Sequence, residues 1–511
     1  MTAPEESANG GHPRRWAILA AVCTALLVTV VDNTVLNVAL PTVAATFGAS
    51  TAEQQGMLDA YAVVFSGLLI TAGALADRWG RRRMMVAGLV VLGLASATAT
   101  LAWTVWWLIA MRALMGLGAA LVMPATLALL VAVFPARERP RAFAVWGAVA
   151  SAAMAVGPAL GGALVALSSW AGAFLINVPV VCVALTMVLW LVPESRPDRA
   201  RPVDPYGAVL VTVGMIALTL VVIVAGEIGV LRIPVLTGAV LAVAVLTVFV
   251  RRQRRRPDPV VDFALYRDRR FSGGSAAVTL IAVGNGSTLF ILTQYLQLVR
   301  GMTPLQAGLA CSPLAAGIVI GSYAGGRAPA RIGPRRSIVT GFTATAAGFA
   351  ALGALTPHGP YVLVAAGLVV VGLGNGFASP AATSTILGAV PSERAAMGSA
   401  LNDTHQQFGV AFGVALIGSL LATVYRSRLP PTPASAQESL SATLRYAGTH
   451  HTPGLAGSAR AAFTSAQTVC MLFAAGCVLL GVIAAAVLLR HEPARSHEST
   501  GPRTGEDPQP P

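Results

Sequence analysis

The chain alternates between long apolar segments and short polar connections along almost its whole length. A helix needs about 20 apolar residues to cross a bilayer at roughly 1.5 Å per residue, and about fourteen segments reach that length. We therefore predict an all-α polytopic membrane protein with fourteen spans. The predicted spans are 16–40, 54–76, 84–102, 104–133, 141–167, 172–192, 206–228, 232–250, 272–299, 305–326, 337–356, 360–388, 396–424 and 463–489.

The composition and the placement of charge support this interpretation. Of the 511 residues, 55% are hydrophobic and only 11% are charged, which is unusual for a soluble protein. All 35 basic residues are arginines, and 28 of them lie at the termini and in alternate connections, against six in the others. This asymmetry predicts that both termini are cytoplasmic. It also explains the net charge of +14 without a nucleic-acid partner, since the run at 251–256 suits anionic lipid.

The first span carries Asp32 within an otherwise apolar run. A charge inside the bilayer costs about 2.5–3.5 kcal/mol on insertion scales, so it faces protein or water. By helical rise, Asp32, Asp59 and Arg112 fall at similar depth, toward the outer face. The residues leave two explanations open. Asp32 either forms a permanent structural bridge with Arg112, or it binds and releases protons when Arg112 moves away.

Other polar side chains inside the spans are candidates for substrate contacts, because such groups tend to face the interior of a bundle. Bonds between helices are the alternative explanation for each of them. The candidates are Asn37, Tyr61, Gln294, Tyr295, Gln297, Asn375, Asp403, His405 and Gln406.

The connection after the second span reads GALADRWGRRR, residues 73–83. Gly73 and Gly80 allow a tight turn and close helix approach. Asp77 can either pair with Arg78 or cap the N-terminus of a neighbouring helix. Arg81 and the arginines after it hold the connection on the cytoplasmic side.

This connection resembles the signature loop of the major facilitator superfamily. VDNTVLNVALP (31–41), LIAMRALMGLGAALVMP (108–124) and GPALGG (157–162) are similar to motifs of its drug:proton antiporters, especially the branch with fourteen helices. The resemblance implies two six-helix bundles plus two inserted helices. It also implies that Gly73, Asp77, Arg78, Gly80 and Arg81 gate the conformational change. The small-residue stripe of the fifth span would be the seam across which the bundles rock; it contains Gly157, Pro158, Gly161 and Gly162.

An internal repeat agrees with two bundles. GRAPARIGPRR (326–336) matches the loop 73–83 at an offset of 253, and GLGNGFASP (372–380) matches GLGAALVMP (116–124) at an offset of 256. Ala330 replaces Asp77 in the second copy. The predicted domains are a disordered tail (1–13), a first bundle (14–200), two inserted helices (201–256), a second bundle (257–490) and a disordered tail (491–511).

These features predict a secondary transporter of the bacterial cytoplasmic membrane. We expect it to export amphipathic drugs or antibiotics in exchange for protons, and so to confer drug resistance or self-resistance. An importer of a small nutrient is the alternative, and a membrane sensor or enzyme is less favoured. Because the sequence contains no P-loop, metal-ligand cluster or Ser-His-Asp arrangement, we expect no cofactor, no metal and no ATP. The proton gradient is the expected energy source.

Overall fold

The computed structural model describes residues 11–49, 51–167, 169–195, 204–229, 232–257, 259–286, 288–357, 359–433, 436–437 and 439–489. Within these ranges every regular element is helical, as predicted. Most of the first predicted tail and all of the second lie outside the described residues, so their expected disorder stays a prediction.

Nineteen α-helices occur in the described part of the chain. They are Arg15–Phe47 (α1), Thr51–Trp79 (α2), Arg81–Ala99 (α3), Val105–Val133 (α4), Arg139–Leu167 (α5), Gly172–Leu175 (α6), Asn177–Leu191 (α7), Pro205–Ile228 (α8), Ile233–Gln253 (α9), Arg269–Gly286 (α10), Thr288–Gln294 (α11), Pro304–Ala310 (α12), Ser312–Gly325 (α13), Ala328–Ile332 (α14), Pro334–Gly353 (α15), Tyr361–Gly388 (α16), Ala395–Arg428 (α17), Leu440–Thr449 (α18) and Pro453–Leu488 (α19). A π-helical turn, Tyr295–Val299, extends α11, and short 3₁₀ turns occur at Phe263–Arg267 and Ser392–Arg394.

Each of the predicted spans coincides with helical structure. Among the described residues, twelve helical stretches are long and apolar enough to cross a membrane. The other two predicted spans correspond to α5 and α15, which are helices of 29 and 20 residues. Helices dominate because a backbone inside lipid has to satisfy its own hydrogen bonds. The chain is therefore a multi-pass membrane protein, and the total of fourteen spans stays a prediction.

The helices pack as two similar bundles, α1–α7 and α10–α19. In the first, α1 packs against α5 and α7, α2 packs against α4, and α3 packs against α4 and α7. The second bundle repeats these pairings: α10 packs against α17 and α19, α13 against α16, and α15 against α16 and α19. The predicted domain boundaries between residues 14 and 490 are compatible with this arrangement and stay a prediction.

The repeat extends to individual helix crossings. A Cβ on Gly88 would lie 2.6 Å from the Gly118 carbonyl oxygen, and one on Gly341 would lie 2.7 Å from the Gly374 carbonyl oxygen. These two pairs are related by the sequence offsets of 253 and 256. Only glycine permits backbones to approach this closely. The two crossings of α3 with α4 and of α15 with α16 are therefore equivalent.

The inserted helices α8 and α9 pack against each other, and α8 also contacts α2 and α17. Hydroxyl pairs attach α8 to α2: Ser66 Oγ lies 2.8 Å from Thr219 Oγ1, and Thr71 Oγ1 lies 2.9 Å from Thr212 Oγ1. The insert therefore lies beside the junction of the two bundles.

Asp204 joins the ends of the inserted pair. Its carboxylate, 2% exposed, accepts hydrogen bonds from Arg256 Nη1 at 2.6 Å, Arg252 Nη2 at 3.2 Å and Gln253 Nε2 at 3.0 Å. Burial alone would raise the pKa of Asp204, but the hydrogen bonds that it accepts outweigh burial and hold the pKa well below its usual value. The ionised carboxylate therefore stabilises the folded state.

We expect Asp204→Asn to lower the thermal unfolding midpoint of the purified protein at neutral pH. Because the folded pKa is depressed, the stabilisation is present above the unfolded pKa of about 3.9 and is lost as pH falls below it. The midpoints of wild type and variant should therefore begin to converge as pH falls below about 4 and should come together only as pH approaches the depressed folded pKa of Asp204. Asp268→Asn, which changes an exposed acid, is the matched control. A difference between wild type and Asp204→Asn that does not depend on pH would contradict this interpretation.

Candidate functional site

The structure brings Asp32 and Arg112 together inside the first bundle. Arg112 Nη1 lies 2.6 Å from Asp32 Oδ2, and the two residues are 0% and 3% exposed. Asp32 lies 17 residues along α1 from Arg15, or about 26 Å of helix. Ion pairs this deep are costly to desolvate and need further hydrogen bonds to persist.

Those further bonds come from several helices. Asn177 Nδ2, at the start of α7, donates to Asp32 Oδ1 at 2.7 Å and lies 3.0 Å from Ser96 Oγ of α3. Arg112 Nε donates to the Met57 carbonyl oxygen at 3.3 Å. The pair therefore joins α1, α2, α3, α4 and α7.

Tyr61 packs against the other side of the arginine. The guanidinium carbon of Arg112 lies 4.4 Å from the centroid of the Tyr61 ring, a cation–π contact that is strongest where water is excluded. The Tyr61 hydroxyl is 3.4 Å from the Thr29 carbonyl oxygen. Arg112 Nη2 is buried and has no hydrogen-bond partner among the described residues. Tyr61 therefore packs against the Arg112 cation and belongs to the ion-pair site; its predicted contact with substrate stays a prediction.

Asn177 was not among the predicted site residues, although it lies in the segment FLINVP at 174–179. The sequence feature that could have identified Asn177 is a polar amide within an otherwise apolar segment. Asp59 is half-buried on α2, two residues before Tyr61, and its participation in proton coupling stays a prediction.

The second group of predicted residues lies where the bundles meet, at the end of the molecule that carries the loops 78–83, 137–141, 251–256 and 331–336. We call this the arginine-rich end. Asp77 Oδ1 accepts a hydrogen bond from the Ala396 backbone N–H at 3.0 Å, and Asp77 Oδ2 accepts one from the Met397 N–H at 2.8 Å. Of the two alternatives left by the sequence, Asp77 therefore caps a neighbouring helix, α17. Arg81, rather than Arg78, donates to Asp77, at 3.2 Å.

Close backbone packing accompanies this cap. A Cβ on Gly73 would lie 2.6 Å from Ala400 Cβ and 2.8 Å from the Ala396 carbonyl oxygen. We call this contact between α2 and α17 the α2–α17 seam. Gly80 has φ 107°, a conformation that other residues rarely adopt, and it ends α2 so that Arg81 can turn back. Arg81 Nη2 also donates to the Ser392 carbonyl oxygen at 2.6 Å.

The described part of the α5 small-residue stripe lies against α1, whereas α5 as a whole also packs against α13 and α16 of the second bundle. A Cβ on Gly161 would lie 3.0 Å from the Val35 carbonyl oxygen of α1, and Ala153 packs in a cluster with Val31 and Val35. Ala153 and Gly161 therefore pack within the first bundle, because α1 and α5 are neighbours there. The side chains of Pro158 and Gly162 lie outside the described residues. The gating role of the stripe stays a prediction.

The predicted substrate contacts are dispersed. Tyr295 is 0% exposed and its hydroxyl donates to the Thr356 carbonyl oxygen at 2.8 Å, so it is committed to packing. Asn375 exchanges amide hydrogen bonds with Asn285, at 3.4 and 3.2 Å. Tyr266 Oη and His405 Nε2 are 3.0 Å apart. Gln294, Gln297 and Gln406 are half-buried, and the side chain of Asn37 lies outside the described residues.

We expect Arg112→Met to destabilise the protein strongly at neutral pH, because it leaves Asp32 buried without a cation. Breaking one partner of a buried pair costs about 3–5 kcal/mol in soluble proteins, whereas replacing both is often close to neutral. The double variant Asp32→Asn/Arg112→Met should therefore recover most of the lost thermal unfolding midpoint. Additive losses in the double variant would show that the pair is not coupled.

We expect Asp77→Ala to open the arginine-rich end. Loss of a cap costs about 0.5–2 kcal/mol, a shift of roughly 2- to 30-fold in the population with the α2–α17 seam closed. Spin labels at Arg137 and Arg336, in a variant without the native cysteines, would report the longer distance. Glu194→Ala, which removes an acid paired with Arg83 in the first bundle, should leave the distance distribution unchanged. An unchanged distribution in Asp77→Ala would contradict the cap.

Comparisons with known proteins agree with this arrangement. Residues 22–414 match the sequence model of the Major Facilitator Superfamily. The chain is 33% identical to the multidrug efflux pump LfrA of Mycolicibacterium smegmatis, over 93% of this chain and 97% of that protein. It is 34% identical to the puromycin resistance protein pur8 of Streptomyces alboniger, over 95% and 94% of the two chains.

A solved structure supports the fold. The human organic anion transporter MFSD10 superimposes with a TM-score of 0.65 at 16% identity, over 93% of this chain and 100% of that one. The family match covers most of the chain and spans both bundles. The chain therefore belongs to the Major Facilitator Superfamily, and it is a transporter rather than an enzyme.

Proposed function

We propose that this transporter exports amphipathic drugs or antibiotics across the bacterial cytoplasmic membrane in exchange for protons. The observation that carries the proposal is the Asp32–Arg112 pair, 2.6 Å apart and sealed from solvent. Relatives of about one-third identity are named as a multidrug efflux pump and as a puromycin resistance protein. Both termini are cytoplasmic in this proposal, so the arginine-rich end faces the cytoplasm.

Asp32 is the proton carrier in the proposed cycle. In the conformation described here Arg112 neutralises its charge, and no proton is needed. When Arg112 turns away, the carboxylate is left in an apolar site, and taking up a proton removes the cost of its charge. The unpartnered Nη2 of Arg112 gives the guanidinium a donor that a water molecule or a substrate can attract during this movement.

The α2–α17 seam converts protonation into directed transport. Asp77 and the close contact at Gly73 hold the arginine-rich end closed, so in the proposed cycle this conformation is closed to the cytoplasm. Parting the seam opens the space between the bundles to the cytoplasm, where substrate enters. The ion pair and the seam share α2, because Met57 accepts from Arg112 and Asp77 lies near the end of the same helix. Movement of α2 therefore couples them.

The names of further relatives support amphipathic drugs, rather than small nutrients, as the proposed substrates. Two further relatives, a methyl viologen resistance protein of Salmonella typhimurium and a tetracenomycin C resistance and export protein of Streptomyces glaucescens, indicate a range of substrates. We propose no cofactor and no ATP, since a gradient-driven exchange needs neither. Self-resistance in an organism that makes the exported compound is one physiological setting for such a protein.

We expect Asp32→Asn to abolish transport driven by the proton gradient. In proteoliposomes with an imposed pH difference, wild type should accumulate puromycin, and Asp32→Asn should reduce the initial rate at least about tenfold, because an amide cannot exchange a proton. Asp32→Glu should retain part of the rate. Glu194→Gln, the same change of acid to amide at the arginine-rich end, should transport normally.

The same assay separates export from import. Accumulation should require the lumen to be the acidic compartment, and reversing the gradient should empty the liposomes. Transport rates that do not depend on the pH difference, or normal transport by Asp32→Asn, would overturn the proposal. The alternative would then be a facilitator of a small nutrient. Methyl viologen serves as a second probe, so that failure with one compound is not read as failure of coupling.

A further inference from the structure

Asp403 is a second buried carboxyl group, on the opposite bundle from Asp32. It lies eight residues after the start of α17 and is 3% exposed. Ala396 and Ala400 of the same helix contact Gly73 across the α2–α17 seam. Residues three apart on a helix share a face, so Asp403 lies one turn beyond Ala400, where the seam continues toward the middle of the molecule.

Its surroundings contain unsatisfied polar atoms. Asn402 Nδ2 donates to Asp403 Oδ1 at 3.2 Å, whereas Asp403 Oδ2 has no hydrogen-bond partner in the described part of the chain. Asn402 Oδ1 and Ser399 Oγ are likewise unpartnered there, and both residues are 0% exposed. The carboxyl group is therefore buried, and only one of its two oxygens has a hydrogen bond in the described part of the chain.

No ion pair of the described residues involves Asp403. The charged and titratable groups described on α17 and on the elements around it are Glu53, Asp59, Tyr61, Asp77 and Arg78 of α2, Arg112 of α4, Asp204 and Tyr206 at the start of α8, Tyr266, Arg269 and Arg270 at the start of α10, Tyr361 of α16, Glu393 and Arg394 ahead of α17, His405, Tyr425, Arg426 and Arg428 of α17, and Arg460, Cys470 and Cys477 of α19. Among these, Asp77 bonds Arg81 and the start of α17, Arg112 pairs with Asp32, and Arg394 pairs with Asp262. His405 bonds Tyr266. The contacts described for Asp403 thus lack a cation.

An ionised carboxyl group without a cation is costly in such a place, and a bound proton removes the charge. The cost depends on the α2–α17 seam. While the seam is closed, the group is sealed; when α2 and α17 part, water reaches the turn beyond Ala400 and solvates the charge. The proton then leaves to water at the arginine-rich end.

We propose that Asp403 is a second proton-carrying group, which holds a proton while the α2–α17 seam is closed and releases it to water at the arginine-rich end when the seam opens. The direction of transport rests on the proposed function, since it takes the arginine-rich end as cytoplasmic. The proton released there is one that Asp403 takes up from the outward-facing side before the seam opens, so each cycle would move it inward in addition to the one exchanged at Asp32.

Infrared spectroscopy of the full-length protein in lipid nanodiscs tests this without a substrate. A protonated carboxyl group has a C=O stretch that an ionised group and an amide lack. At neutral pH, the spectrum of wild type minus Asp403→Asn should contain this band with the amplitude of one carboxyl group. Wild type minus Asp32→Asn/Arg112→Met, the double variant expected to retain stability, is the matched control and should lack the band, because Asp32 is paired with Arg112. Absence of the band from the Asp403 difference would overturn the proposal.

Asp77→Ala tests the gating. It should diminish the Asp403 band in proportion to the fraction of molecules in which the Arg137–Arg336 spin-label distance lengthens. If the C=O band of Asp403 keeps its full amplitude in molecules whose seam has opened, Asp403 keeps its proton whether the seam is open or closed. That result would contradict the proposed gating. The label distance measured in Asp403→Asn verifies that this variant keeps the seam closed. Failure here, with proton-driven transport intact in proteoliposomes, would reject the second carrier while leaving the role of Asp32 standing.

Discussion

The ion pair between Asp32 and Arg112 is the constraint on which the first bundle depends. Neither charge would be stable alone at that depth. The desolvation cost of the pair is offset only because other helices complete its hydrogen bonds. Asn177, itself bonded to Ser96, and the Met57 carbonyl oxygen supply them. The pair therefore fixes how five helices are placed. It also makes that placement sensitive to one proton, because protonation of Asp32 removes the partner that Arg112 requires. In the proposed cycle, stability and proton coupling are thus two consequences of the same contact.

The junction between the bundles works on a different principle. There the backbones of α2 and α17 approach closely at small residues. Because the packing is tight, separating the two helices breaks all of these contacts at once rather than one by one. The contact of Gly73 with Ala400 has a counterpart, since a Cβ on Gly326 would lie 2.9 Å from Ala144 Cβ. The two contacts are related by the internal repeat. Only the first has a carboxylate cap, however, because Ala330 stands at the position equivalent to Asp77. The closed arginine-rich end is therefore held more strongly on one side than on the other.

Much of the fold and part of the candidate site could be predicted from the sequence, and there are physical reasons why the rest could not. Apolar length determines the spans, so their positions were accessible, and the depth of Asp32 and Arg112 followed from helical rise. The participation of Asn177 was not accessible, because depth along one helix does not reveal which faces of others meet it. The stripe of α5 shows the same limit. Small residues indicate close packing, but Gly161 contacts α1 inside the bundle, and the sequence alone does not identify the partner.

The repeat provides two similar frameworks but only one copy of the ion-pair site. At the offset of 256, Leu368 stands in the place of Arg112, and at 253, Phe349 stands in the place of Ser96; both are 0% exposed. The second bundle has thus filled the equivalent region with apolar side chains, which stabilise it without any charge. Asp403 is consequently not a degenerate copy of Asp32. It lies on a different helix, beside the junction rather than inside a bundle, and its environment changes with the junction itself. An acid in that position responds to the movement of the bundles, whereas an acid in the position of Asp32 responds to its arginine.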